Sequence, residues 1–185
     1  MLPDILDHFT RVEYLENHSY YCDQCKQKVD ATKRLLIKSL PNILQLHINR
    51  VHWSGPHRQK IHNHVEFPIR GLSMQAYLVQ EDLSVEVPAK LVVANGRVRR
   101  SKALYSNHSD SSDAKACLDS GFDLHSVVVH RGLHFGSGHY TTYGYDEDKK
   151  NWVHCNDVRV SIVPEAEVSE AQAYILFYAR RVDNP

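Results

Sequence analysis

Apolar and polar residues alternate along much of the chain, and this period of two predicts β-strands. Around residues 42–51, Leu44, Leu46 and Ile48 alternate with polar side chains, which is typical of a half-buried strand beginning after Pro41. The last third of the chain has the densest pattern of this kind. The strands predicted elsewhere are residues 65–67, 124–129, 139–145, 151–157 and 174–179.

Helical spacing is confined to two short segments. Leu2, Ile5, Leu6 and Phe9 predict one amphipathic helix within the first ten residues. Residues 165–171, which follow a proline, predict a second helix. Residues 17–25 and 53–64 are polar and predict turns. The fold class predicted from these patterns is α+β with a dominant antiparallel sheet.

Residues of about 82–120 have a different composition from the rest of the chain. A basic patch at 95–100 is followed by a tract rich in serine and aspartate at 106–113. Such a segment is too polar to form a core of its own, so we interpret it as a flexible insertion. The basic patch is also open to interpretation as a targeting or nucleic-acid patch, but a solvated loop is favoured.

Composition excludes several classes of protein. The 22 basic and 22 acidic residues give a formal net charge of zero, which argues against direct binding of nucleic acid or an anionic membrane. No apolar run approaches the roughly 18 residues of a membrane span. The N-terminus carries Asp4 and Asp7 without a basic region, so no secretory signal is predicted. The 4 cysteines, two of them in one CxxC pair, suggest reduced thiols and a cytoplasmic or nuclear location.

The pattern at residues 139–157 predicts a hairpin with a histidine at its open end. If residues 146–149 are the loop, Tyr145 pairs with Lys150 and His139 lies opposite Asn156. If the loop is one residue longer, Asp157 takes the place of Asn156. Directly opposed side chains are close enough to hydrogen-bond. Either register therefore gives His139 an acceptor that orients its ring.

An oriented imidazole is how a general base for a thiol or hydroxyl nucleophile is built. A structural histidine near a hairpin end is the alternative, and the His–Asn pair alone favours it. Gly136 and Gly138 shift the interpretation toward a base, because glycines let other groups approach closely.

No cysteine of the chain is well placed as the nucleophile. Cys155 precedes Asn156 on the same predicted strand and so faces the other side of the sheet. Cys117 lies in the polar insertion. Cys22 and Cys25 have the spacing of two zinc ligands, although a lone CxxC is a weak signal and a chance pair is an alternative. His18 is a candidate third ligand.

Segments over nearly the whole chain apart from the insertion, in the order of the family, resemble the C-terminal half of the catalytic domain of ubiquitin-specific proteases, which are papain-like cysteine deubiquitinases. The histidine box of that family is resembled by FDLHSVVVHRG at 122–132 and GHY at 138–140. The other matching segments are YCDQC at 21–25, ATK at 31–33, LPNIL at 40–44, HINR at 47–50, WVHCND at 152–157 and AYILFY at 173–178. The departures are Phe122, Val51 and Cys155, where the family usually has an aromatic residue (tyrosine in the first case), and the absence of the cysteine box.

The resemblance implies an antiparallel-sheet-rich papain-like palm with part of the zinc-bearing fingers, residues 1–185 being the C-terminal part and the N-terminal thumb half being absent. It implies His139 as general base, Asn156 as its orienting residue and Asp157 as a substitute or helper. It further implies a structural Zn²⁺ held by Cys22 and Cys25 as two of four ligands. The implied partners are ubiquitin and ubiquitinated proteins, with histones among the substrates.

Three functions follow as hypotheses. The first is a deubiquitinase that hydrolyses the bond after the C-terminal glycine of ubiquitin, with the nucleophilic cysteine expected upstream, so that this chain alone is inactive. The second is a non-catalytic ubiquitin-binding or scaffolding module that has lost the nucleophile. The third is a small zinc-ribbon interaction protein. The family resemblance slightly favours the nucleus over the cytoplasm.

Overall fold

The computed structural model describes residues 1–54, 57–79, 121–134 and 137–181, with some side chains next to the gaps and at residues 17–19 left out. The predicted insertion at about 82–120 and Cys117 lie outside these residues. In the part of the chain that is described, no helix has the length and apolar character needed to cross a membrane.

A six-stranded antiparallel sheet forms the centre of the molecule. Its strands, in spatial order, are β3, β10, β6, β7, β8 and β9. They span Ile43–His47 (β3), Ala173–Arg180 (β10), Phe122–His134 (β6), Ser137–Asp146 (β7), Asn151–Asn156 (β8) and Arg159–Val163 (β9). Five of the six cover segments predicted as strands, which confirms the dominant antiparallel sheet. β9 was not predicted, because its alternating segment is short and its apolar side chains face outward.

Two helices accompany this sheet. α1 (Leu2–Thr10) confirms the predicted helix and buries Leu2 and Leu6, but it leaves Ile5 and Phe9 exposed. α2 (Glu165–Ser169) follows Pro164 and buries Val168. The hydroxyl of Tyr143 on β7 donates to the Glu167 carboxylate at 3.1 Å, which ties α2 to the sheet.

One buried apolar cluster holds the sheet, the helices and the segment between residues 65 and 78 together. Burying a valine, leucine or phenylalanine side chain contributes roughly 1.5–3 kcal/mol, so this cluster is the main source of stability. Its members with no exposed surface are Phe122, Val127, Val168, Ala173, Leu176 and Tyr178.

Two small hairpins lie outside the central sheet. β1 (Glu13–Cys22) pairs with β2 (Gln27–Lys33), and β4 (Val51–Ser54) pairs with β5 (His57–Lys60). The predicted turns at 17–25 and 53–64 were therefore wrong at residues 17–22, 53–54 and 57–60, which lie in strands, whereas residues 23–25 form a turn as predicted. Cross-strand pairing overrides the weak strand propensity of these polar sequences.

The strand predicted at residues 65–67 is absent. The carbonyl of Glu66 accepts a hydrogen bond from the backbone N–H of Leu2 at 2.7 Å. This segment therefore binds the first turn of α1 and does not pair with a strand. Phe67 is nevertheless buried in the common core. A short apolar run predicts burial more securely than it predicts a strand.

Candidate active site

His139 is the third residue of β7 and pairs with Arg131 on β6. Its side chain is 46% exposed, so the imidazole is open to a reacting group from outside the sheet. The strand fixes the backbone on one side, and a side chain from the next strand fixes the ring.

That side chain is Asn156, the last residue of β8. Nε2 of His139 lies 2.6 Å from Oδ1 of Asn156. An amide oxygen only accepts hydrogen bonds, so the imidazole nitrogen must donate. The proton of a neutral ring therefore resides on Nε2, which leaves Nδ1 with a free lone pair that can take a proton.

Asp157 lies farther from the ring. Its Oδ2 is 3.8 Å from Nε2 of His139, and its side chain is 75% exposed. Asp157 begins the tight turn between β8 and β9, where Asn156 pairs with Arg159, and it adopts a φ of 51°. At that distance its carboxylate contributes a solvent-screened charge and no direct hydrogen bond.

Both predicted registers of the hairpin were wrong. Tyr145 pairs with Trp152, and Asp146 pairs with Asn151, so the loop begins one residue later than predicted. Asp146 remains in the strand because its carboxylate accepts the backbone N–H groups of Asp148 and Lys149, both at 3.1 Å. A polar residue of this kind initiates a turn from the strand end, so its polarity does not place it inside the loop.

Compared with the first predicted register, in which residues 146–149 are the loop, the observed pairing leaves the faces of the strands unchanged. Cys155 pairs with Thr142, which places the next residue, Asn156, opposite Thr141. Thr141 and His139 share one face of β7, so Asn156 reaches His139 diagonally rather than directly. A shift of two residues preserves the face that each side chain occupies, whereas a shift of one would have reversed it.

Gly138 is required by a close approach, as the glycines beside the histidine suggest. A Cβ at this position would lie 2.1 Å from Nε2 of His130 and 2.7 Å from the carbonyl oxygen of Arg131. His130 is buried, and its ring lies 4.7 Å from that of Tyr140. Burial and the neighbouring Lys60 ammonium lower the pKa of His130, which keeps that ring neutral.

The cysteines that the structure describes form no disulfide, and none shares the face of His139 on the central sheet. Cys155 lies on β8 and points to the opposite face from Asn156. Cys22 and Cys25 belong to the separate β1–β2 hairpin. Within the described ranges, the attacking thiol that His139 would need is not in place.

Cys22 and Cys25, the predicted zinc ligands, lie at the turn of the β1–β2 hairpin. The backbone N–H of Cys25 donates to Sγ of Cys22 at 3.4 Å, and the chain turns at Lys26 with a φ of 54°. Hydrogen bonds from Cys25 lower the pKa of Cys22, which favours the thiolate that binds metal. Two thiolates at this spacing can supply two of the four ligands of a tetrahedral zinc. Among the residues described, no group of three or more potential ligands is present, so the zinc site stays a prediction. The side chain of His18 lies outside the description.

Sequence reasoning missed two cations that organise the backbone near the site. Arg50 is 2% exposed, and its guanidinium donates to the carbonyls of Ala173 (2.7 Å), Asn63 (2.7 Å) and Ile61 (3.2 Å). The Lys60 ammonium donates to two carbonyls of β6. For Arg50 the sequence signal was a charged residue near the end of the strand predicted at residues 42–51.

Comparison with known proteins identifies the family to which the chain belongs. The family model described as "Ubiquitin carboxyl-terminal hydrolase" matches residues 9–178. Ubiquitin carboxyl-terminal hydrolase 3 of Homo sapiens is 38% identical over 178 residues, which cover 96% of this chain and 28% of the relative. Ubiquitin carboxyl-terminal hydrolase 44-A of Xenopus laevis is 38% identical over 183 residues, covering 98% of this chain and 22% of the relative. The chain thus spans less than a third of the length of these curated relatives.

Solved structures agree with the predicted fold. A yeast SAGA DUB module structure contains a chain with a TM-score of 0.69 and 28% identity, and the match covers 99% of this chain and 33% of that one. A SAGA DUB module bound to monoubiquitin gives the same TM-score of 0.69 and 28% identity, with the same coverage of 99% and 33%.

Proposed function

Because the chain belongs to the ubiquitin carboxyl-terminal hydrolase family, we propose that residues 1–185 are the C-terminal part of the catalytic domain of a cysteine-type deubiquitinase. The reaction is hydrolysis of the peptide or isopeptide bond after the C-terminal glycine of ubiquitin. Ubiquitin and ubiquitinated proteins are then its partners, and histones as substrates stay a prediction. The observation that carries the proposal is the hydrogen bond between His139 and Asn156.

In this proposal His139 is the general base. A cysteine thiol supplied from outside the described residues gives its proton to Nδ1 of His139, and the thiolate attacks the carbonyl carbon of the ubiquitin glycine. The protonated ring then donates that proton to the leaving amine. Water hydrolyses the resulting thioester, with His139 again taking a proton.

Asn156 orients the ring throughout this cycle. Its amide oxygen holds the Nε2 proton, so the ring cannot rotate and Nδ1 stays directed at the incoming thiol. When the ring is protonated the hydrogen bond becomes charge-assisted and therefore stronger. Asn156 thus stabilises the charged intermediate as well as the geometry.

A structural zinc completes this proposal. Cys22 and Cys25 would supply two of its four ligands, and the remaining two would come from residues outside the described part of the chain. Bound zinc would hold the β1–β2 hairpin in a fixed conformation.

A second candidate is a ubiquitin-binding module without activity. The observation that favours it is the outward orientation of Cys155, which leaves the described part of the site without a nucleophile. The two candidates differ in whether the natural polypeptide that contains these residues has a cysteine opposite His139.

Reaction with a ubiquitin electrophile separates the two candidates. We expect the 185-residue chain alone to give neither turnover of a ubiquitin C-terminal fluorogenic amide nor covalent labelling, because no described cysteine faces His139. The full natural polypeptide should give both. Labelling of the short chain that is lost on Cys117→Ser or Cys155→Ser would contradict this assignment of the nucleophile, and an unreactive full polypeptide would favour the binding module.

Replacing Asn156 and Asp157 separately tests which of them orients the ring. In the full natural polypeptide we expect Asn156→Ala to lower kcat by roughly 10- to 100-fold, because a hydrogen bond to an imidazolium contributes about 1.5–3 kcal/mol. Asp157→Ala should lower kcat by at most about five-fold, since its carboxylate is exposed and 3.8 Å away. Steady-state kinetics with the fluorogenic amide measures both variants. A larger loss for Asp157→Ala than for Asn156→Ala would move the orienting role to Asp157.

A further inference from the structure

Within the described part of the chain, the end of β6 near the candidate active site has a paired strand on one edge only. β10 pairs with β6 only as far as Ala173, which lies opposite Val129. Beyond Val129, β6 continues to His134 and pairs with β7 on its other edge. Backbone carbonyls on the outer edge therefore need another partner, because partly buried polar groups of the backbone are costly to leave unsatisfied.

The carbonyls at this edge can be identified from the strand geometry. The oxygen of Arg131 points toward β7, since a Cβ on Gly138 would lie 2.7 Å from it. Successive carbonyls of a strand point to opposite edges. The oxygens of His130 and Gly132 therefore point away from β7, to the edge that β10 has left.

Lys60 occupies the place of the missing strand. Its Nζ donates to the carbonyl oxygens of His130 and Gly132, each at 2.8 Å. An ammonium has three donors, so one side chain satisfies two successive edge carbonyls as a neighbouring strand would. Hydrogen bonds from a charged donor are roughly twice as strong as neutral ones.

The backbone that carries Lys60 is itself fixed. Lys60 ends β5 and pairs with Val51, and the adjacent Arg50 is held by three carbonyls. Partial burial and the Arg50 guanidinium lower the pKa of Lys60, so its ammonium is held here at an electrostatic cost. Two carbonyl contacts at short distance offset that cost.

The hydrogen bonds between Lys60 and β6 fix the part of β6 that is next to His139. Arg131 lies between the two carbonyls that Lys60 holds, and it is the residue that pairs with His139. His130, whose carbonyl Lys60 holds, also packs its ring into the space beside Gly138, the residue before His139. A displacement of β6 at this point would move both the strand partner and the packing neighbour of the histidine.

We propose that Lys60 is a positioning residue for His139: its ammonium replaces the absent strand at the end of β6 and so fixes the backbone against which His139 is aligned. The proposal rests on the proposed function in one respect, namely that His139 is the general base. In this proposal Lys60 acts only through the backbone of β6, whose carbonyls it binds.

The test compares Lys60→Met, Lys60→Arg and the matched control Lys149→Met in the full natural polypeptide. Lys149 lies in the loop at the far end of β7 and is 73% exposed. With the fluorogenic ubiquitin amide, we expect Lys60→Met to lower kcat by about 10- to 100-fold, the loss that a small misplacement of a catalytic group produces, with KM changed by less than about two-fold. Lys60→Arg should recover kcat to within about five-fold, because a guanidinium also donates to two oxygens. Lys149→Met should be unchanged.

A spectroscopic measurement keeps this test separate from the proposed function. In protein labelled with ¹⁵N-histidine, the Nε2 proton of His139 should exchange with solvent at least about ten-fold faster in Lys60→Met than in Lys149→Met. If the unsubstituted polypeptide cleaves no ubiquitin amide, the proposed function fails, and this exchange rate alone decides whether Lys60 positions the ring. Equal kcat and equal exchange in Lys60→Met and Lys149→Met would overturn the proposal. An equal loss in Lys60→Met and Lys60→Arg would also overturn it.

Discussion

Replacing His139 by alanine is expected to lower kcat of the full natural polypeptide by about 10²–10⁴-fold, the usual contribution of a general base. The side chain is exposed near the start of β7, so its removal leaves no cavity in the core. Binding of ubiquitin should be nearly unchanged, since the loss affects the chemical step. Kinetics with a ubiquitin C-terminal fluorogenic amide and a separate binding titration measure the two effects.

His125 provides the matched control for this substitution. It lies on β6 of the same sheet with an exposed side chain, and His125→Ala should retain kcat to within about two-fold. If His139→Ala kept more than about a third of the original kcat, His139 would not be the base and the assignment would be wrong. If binding fell in parallel with kcat, His139 would act in recognition rather than in proton transfer.

Replacing Arg50 by alanine is expected to cost about 3–5 kcal/mol of the free energy of unfolding. The change leaves three carbonyl oxygens without their donor, and each buried acceptor left without a hydrogen bond costs about 1–3 kcal/mol. Relief of the buried charge offsets part of this sum, because burial lowers the pKa of Arg50 and so opposes its charged form. Urea denaturation measures the loss.

Arg70 serves as the control for Arg50. Its guanidinium pairs with Glu165 at 3.1 Å on the surface with 64% of the side chain exposed, so Arg70→Ala should cost less than about 1 kcal/mol. Arg50→Lys should fall between the two, because an ammonium reaches fewer of the three carbonyls. Equal unfolding midpoints for Arg50→Ala and Arg70→Ala would show that the buried contacts contribute nothing to stability.

Sequence patterns predicted the central sheet because its strands carry their burial signal locally. In β3, Leu44 is buried and Leu46 half-buried, while Ile43, Gln45 and His47 are exposed. The β1–β2 and β4–β5 hairpins escaped prediction because their side chains are mostly exposed, so no apolar alternation marks them. Their strands exist through pairing with each other, which a single local window does not record.

For the candidate site, the sequence predicted the contact between His139 and Asn156 but not the strand register that produces it. The register failed at Asp146, whose side chain closes the turn while its backbone stays in the strand. The contacts of Arg50 and Lys60 could not be predicted from the sequence for another reason. Arg50 and Ala173 are 123 residues apart, and Lys60 and His130 are 70 apart, so only the folded chain brings them together.

The edge position of β9 has a practical consequence for handling this chain. Among the strands that the structure describes, β9 is the last of the six-stranded sheet, and Val160 and Ile162 on its outward face are 64% and 70% exposed. A free strand edge with apolar side chains is a template onto which another copy can add its own strand. Self-association of the isolated chain should therefore depend on protein concentration and persist in reducing agent, because it needs no disulfide. A lysine at position 162 would blunt that edge without touching the face that carries His139.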